Sequence, residues 1–183
     1  MINWDWHEFV DQTKKTDHSN EYERYWSSPS EYVVRQVLAG KGDNALHYDV
    51  GFEHVIDPHH VRAFLGDTLY EGNPLVIPEN GAWTVQFDLA DGTNGNQAVK
   101  FSNPRQVTDL LKGVACAVYD HYNVTKAGLY IWYAARVELV EFYDKVLGFN
   151  TEINYKLKFI PLSNNLKSGS PSGRGYAIIT KYY

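Results

Sequence analysis

Cysteine occurs once in this chain, at Cys116, and that scarcity excludes an intramolecular disulfide and any zinc site built from cysteine pairs. It fits a reducing compartment. No apolar run approaches the ~20 residues that a helix needs to cross a bilayer. The opening Met1-Ile2-Asn3-Trp4-Asp5-Trp6 lacks the basic-then-apolar order of a signal peptide, so the expected location is the cytoplasm. Basic residues are also few. With 17 Lys and Arg against 22 Asp and Glu the net charge is -5, which argues against broad phosphate-backbone binding and is too mild for a mimic of DNA. Neither a Gly-x-Ser-x-Gly elbow nor a Walker phosphate loop is present. Ser170-Pro171-Ser172-Gly173-Arg174-Gly175 is glycine-rich but precedes a strand pattern, the wrong side for holding phosphate at a helix start. There is no internal repeat.

What remains is a chain of 183 residues, 44% hydrophobic and 15% aromatic, the balance of one folded domain. At this size roughly 70% of the extended surface leaves water on folding, enough for a core without covalent staples. Fourteen tyrosines and five tryptophans exceed what one such core needs. Either they cement N-terminal helices onto a sheet, or they form a surface for a protein partner.

The first forty residues read as helical, with Trp4, Phe9, Tyr22, Tyr25, Trp26, Tyr32, Val33 and Val37 as candidate buried positions. Ser28-Pro29-Ser30-Glu31 has the form of a capping box with a first-turn proline, which predicts a helix from about Pro29 to Ala39. Gly40 to Asn44 ends it. Ala45 to Ile56 reads as a strand or a strand plus loop, Pro58 to Leu65 as a short helix, and Gly66 to Gly81 as connection or a covering loop. Trp83, Val85, Phe87 and Leu89 alternate with polar residues as a half-buried strand does, and Val99 with Phe101 forms its expected hairpin partner across 91–96. Ser102-Asn103-Pro104 then opens the clearest helix. Its stripe is Val107, Leu110, Leu111, Val114, Ala115, Val118 and Tyr122. Leu129 to Ala135 is a continuous apolar run, the mark of a central strand covered on both faces. A second amphipathic helix follows from Arg136 to about Leu147, stopped by Gly148. Ile153 to Phe159 and Tyr176 to Tyr182 read as the last strands, separated by a long loop, Pro161 to Gly175.

This element order, with Phe142-Tyr143-Asp144-Lys145-Val146-Leu147-Gly148-Phe149 closing the second helix, resembles the later part of the GNAT (Gcn5-related N-acetyltransferase) fold. In that family the corresponding helix often carries Leu/Phe-Tyr-Glu-Lys-Leu-Gly-Phe; here one extra residue precedes the glycine. The pattern from Trp83 to Lys181 also looks like a group of divergent bacteriophage proteins of unassigned function. The fold implied is α+β: a mixed, mainly antiparallel GNAT-like sheet flanked by helices over 45–183, with a helical extension over 1–44. Tyr143 coincides with the family tyrosine that protonates a departing coenzyme A thiolate. The resemblance places the cofactor pyrophosphate at the junction Asn103-Pro104-Arg105-Gln106, where the family has a glycine-rich turn at a helix N-terminus. This chain has no glycine there, and Pro104 removes one donor.

Two functions of different class follow. The first is a non-catalytic protein-interaction module, in a phage setting binding a host or virion protein and residing in host cytoplasm or virion. The alternative is an acetyl-CoA-dependent N-acyltransferase with an atypical pyrophosphate loop. In it Tyr143 acts as acid, a sheet splay near Val99–Phe101 and Leu129–Trp132 holds the pantetheine, and the 161–175 loop covers the acceptor. Nucleic acid and membrane are not expected partners. Glu53, His54, Asp57, His59 and His60 have metal-ligand side chains, but their spacing suits neither a helical nor a hairpin zinc motif, and no metal is expected. Cys116 sits on the apolar side of the long helix, as an inert core thiol does. His47 and His121 are isolated and read as ordinary surface or core residues.

Overall fold

A computed structural model describes residues 32–90, 104–135, 137–149, 159–169 and 173–183. The architecture is α+β. Eight strands run in chain order as β1 (Tyr32–Ala39), β2 (Leu46–Val55), β3 (Leu69–Tyr70), β4 (Asn73–Pro74), β5 (Ala82–Leu89), β6 (Leu129–Tyr133), β7 (Asn164–Lys167) and β8 (Gly175–Ile179). Three α-helices lie among them: α1 (Pro58–Leu65), α2 (Pro104–Thr125) and α3 (Val137–Leu147). Six strands form one sheet in the order β1-β2-β5-β6-β8-β7, and β3 pairs with β4 separately. All neighbours in the sheet are antiparallel except β5 and β6.

The first correction concerns the predicted helix over 29–39. Residues 32–39 are strand β1, paired along its whole length with β2 from Tyr32↔Glu53 to Ala39↔Leu46. Local capping signals lost to alternation. Arg35, Val37 and Ala39 share one face, where Arg35 pairs with Asp120 of α2 and the other two are buried, while Gln36 and Leu38 face outward. Eight cross-strand pairs bind β-branched residues better than one helix of the same length would. The remainder of the helical extension, 1–31, lies outside the described residues.

The predicted central strand is at the centre. In β6, Leu129 and Ile131 face α1 and join Val55, Val61, Leu65, Ala82, Ala177 and Ile179 in one apolar layer. Tyr130 and Trp132 face the other way, into the larger core beneath α2 and α3. Both faces are thus covered, which is why no polar residue interrupts the run. Helix α1 forms where Pro58 predicted it; the Asp57 carboxylate accepts from the His59 backbone N–H at 2.9 Å and caps its first turn. Helix α2 lies unusually close to β1, since a Cβ on Gly113 would come 1.9 Å from Val37 Cγ1. Cys116 is buried in this contact layer, as expected of a core thiol.

The 161–175 loop requires a second correction. Its middle, Asn164–Lys167, is strand β7 at the sheet's outer edge, paired with β8 from Asn164↔Ile179 to Lys167↔Tyr176. The connection over 66–81 likewise contains the small β3–β4 hairpin. The expected strands at 98–101 and 153–158 lie outside the described residues.

Candidate functional site

The single parallel pair is where the sheet opens. β5 and β6 meet at three positions, Ala82↔Leu129, Trp83↔Tyr130 and Thr84↔Ile131. Beyond them each strand follows its outer neighbour: β5 stays on β2 as far as Leu89, and β6 stays on β8 as far as Tyr133. After Thr84 and Ile131 the two strands are no longer paired, so the splay lies between β5 and β6. Of the sequence-based placement, Leu129–Trp132 belongs to β6, and Val99–Phe101 lies outside the described residues.

An apolar cavity of about 230 Å³ lies beside the parting strands, on the face carrying α2 and α3. β5 contributes Val85 and Phe87, and β6 contributes Trp132. Helix α2 adds Val107, Leu110, Leu111, Val114 and Val118, spaced at one, three or four residues along one stripe. Helix α3 adds Leu139, Phe142 and Tyr143, with Phe159 closing the wall. Tyr143 and Trp132 are the two lining residues whose side chains carry a polar atom.

Tyr143 is buried, with Trp132 edge-on to it at 6.2 Å and Tyr176 at 5.2 Å between ring centroids. Burial pushes its phenol well above the usual range, so it stays protonated. The adjacent residue of α3 is tied elsewhere. Asp144 accepts from the Tyr176 hydroxyl at 2.8 Å and from Lys167 Nζ at 2.5 Å, which joins α3 to β8 and β7. The Tyr176 hydroxyl also lies 3.1 Å from the Val140 carbonyl. Burial, then the Asp144 carboxylate, raises the Tyr176 phenol. Tyr176 is thus committed to structure. Tyr176→Phe is expected to cost about 1.5–3 kcal/mol, the value of a hydrogen bond to a charged group, read as a lower urea midpoint at unchanged slope.

Two of the residues expected to hold a pyrophosphate, Arg105 and Gln106, are described. Arg105 is exposed and its Nε lies 3.9 Å from the Asp109 carboxylate, four residues along the helix. That carboxylate also accepts from the Gly40 backbone N–H at 3.2 Å. Gln106 is buried, its side chain packed beside Gly40, where a Cβ would come within 3.1 Å of Gln106 Cγ. Asn103 lies outside the described residues. The candidate metal residues are dispersed as well: Asp57 caps α1, His59 and His60 are exposed on that helix, and the His54 ring rests 4.9 Å from Trp83. Among the described residues no group of three or more metal-ligating side chains converges.

Sequence reasoning underrated His121. It is fully buried, stacked 4.3 Å from Phe52, edge-on to Trp83 at 4.5 Å, and its Nδ1 lies 2.8 Å from the Tyr130 hydroxyl. The signal was its position one residue before Tyr122 on the buried stripe of α2.

No family model, curated protein or solved structure matches the chain. No helix among the described residues is long and apolar enough to cross a membrane.

Proposed function

We propose that this chain is a GNAT-like protein whose splayed strands receive an acyl-CoA, and that Tyr143 serves as its acid in acyl transfer. The observation that carries the reading is the coincidence of three features: the one parallel pair parts after Thr84 and Ile131, an apolar cavity lies beside the gap, and Tyr143 stands in its wall. Beyond Thr84, β5 continues along β2 to Leu89 while β6 continues along β8 to Tyr133, and a pantetheine arm would enter where the two separate. A buried, protonated phenol beside the thioester sulfur would donate to the developing thiolate, a contribution of about 10²-fold or more to the rate.

One observation favours the other reading, a non-catalytic protein-interaction module of the phage type. The first turn of α2 offers little to a pyrophosphate, since Arg105 has Asp109 beside it and Gln106 is turned inward. Thermal unfolding with CoA and with acetyl-CoA separates the two. At ~100 times its dissociation constant a ligand of the native state adds about 2.7 kcal/mol, a rise of several degrees. The acyl-CoA reading expects that rise, followed by a turnover that Tyr143→Phe lowers about 100-fold at unchanged melting temperature. Absence of any rise at millimolar thioester would sink it and turn the search to a protein partner.

A further inference from the structure

An acetyl group is a poor occupant for the cavity described above. It offers one methyl carbon to a space of about 230 Å³, whereas an apolar cavity of ~150 Å³ in another protein stays dry and admits benzene. Scaled by volume from benzene, the space corresponds to a hydrocarbon of roughly eight or nine carbons. Its wall is equally specific in chemistry. The aliphatic side chains of Val107, Leu111, Val114, Val118 and Leu139 have no polar atom to offer, so a sugar, an amide or a carboxylate buried among them would lose its hydrogen bonds to water without replacement. The two polar atoms present, on Tyr143 and Trp132, suffice to orient one polar end of a ligand.

We infer that this cavity takes the hydrocarbon chain of a medium-length acyl thioester, near eight carbons, in preference to an acetyl group. The inference rests on reading the splay as an acyl-CoA site. In that arrangement the thioester stands near Tyr143, and the chain enters between α2 and α3. Each buried methylene strengthens binding about fourfold.

Titration calorimetry on the full chain with CoA, acetyl-CoA, octanoyl-CoA and sodium octanoate tests it. Octanoyl-CoA is expected to bind at least ~100-fold more tightly than acetyl-CoA, with a negative heat-capacity change, and a series from two to twelve carbons should stop gaining near eight to ten. Equal affinity of acetyl-CoA and octanoyl-CoA overturns the inference and leaves the acyl-CoA reading standing. Binding of octanoate without any thioester, or of nothing at all, overturns the acyl-CoA reading and the inference with it. Leu111→Trp, which puts an indole into empty space, should abolish the preference for octanoyl-CoA; the chain-length series on the unaltered protein holds the inference to account should that variant fail to fold.

Discussion

Lowering the pH from 6.5 to 3 is expected to remove on the order of 4 kcal/mol of folding stability through His121. The ring is fully buried between Phe52 and Trp83, and burial pushes its pKa from 6.5 down to about 3. Among the groups that face it are the Tyr130 hydroxyl and the Thr125 hydroxyl, with His54 one ring further away behind Trp83. None of these is a carboxylate. A folded-state pKa below the unfolded value means that, between pH 6.5 and 3, the unfolded chain binds a proton that the native chain does not. Stability therefore falls as pH falls through that window, most steeply in its middle, and the loss from this group levels off below the folded pKa. Against a typical total of roughly 5–15 kcal/mol the effect is large. Urea unfolding of the native protein and of His121→Phe at pH 6.5 and 4.5 isolates it, because other titrating groups are common to both. The native protein should lose about 2 kcal/mol more than the variant across those two units. Equal losses would mean that His121 can be protonated in place.

The same residue illustrates which parts of the molecule were legible in the sequence. Helix α2 and strand β6 were, because each carries an unbroken pattern: a stripe from Val107 to Tyr122 and an apolar run from Leu129. Helix α1 was legible from Asp57-Pro58, and the end of α3 from Gly148, which adopts a φ of 79°. β1 was not. Its Ser-Pro-Ser-Glu prelude is a valid helix start taken locally, and only the partner strand β2, seven residues on, makes the alternation of Arg35, Val37 and Ala39 decisive. β7 was hidden for a different reason. Asn164-Asn165-Leu166-Lys167 is short and mostly polar because it is an edge, and nothing in four such residues distinguishes a strand from a loop.

Of the site, the lining was legible and the cavity was not. The stripe on α2 was legible as an inward face. Periodicity tells which side chains point inward. It does not tell whether two inward faces meet, and here they fall short by about 230 Å³ because β5 and β6 part beneath them. The parting itself depends on which strands β5 and β6 borrow as outer neighbours, a non-local choice. Tyr143 was identified from a motif, and burial beside Trp132 supplies the physical reason that its phenol stays protonated.

Gly175→Ala is expected to destabilise the fold by at least ~3 kcal/mol, although the glycine stands in a Ser- and Gly-rich stretch that reads as slack. Gly175 opens β8 directly beneath the last turn of α1. A Cβ built there comes 1.7 Å from the Phe64 carbonyl oxygen and 2.7 Å from its carbon. Both are backbone atoms, so no side-chain rotation relieves the clash. To admit the methyl, α1 must move away from β8 by more than an ångström, and that helix supplies Val61 and Leu65 to the apolar layer over Leu129, Ile131, Ala177 and Ile179. The Ser168 hydroxyl, which donates to the Leu65 carbonyl at 3.1 Å, would be displaced with it, as would the Ser168 N–H bonded to the Gly175 carbonyl at 2.7 Å. Gly169 provides the control, since a Cβ there meets nothing within 4 Å. Gly169→Ala should be neutral or stabilising by up to ~1 kcal/mol, through the entropy it removes from the unfolded chain. Denaturant midpoints of the two variants therefore move in opposite directions if α1 and β8 meet backbone to backbone at Gly175, and a pair of small, similar shifts would place that helix farther from the sheet.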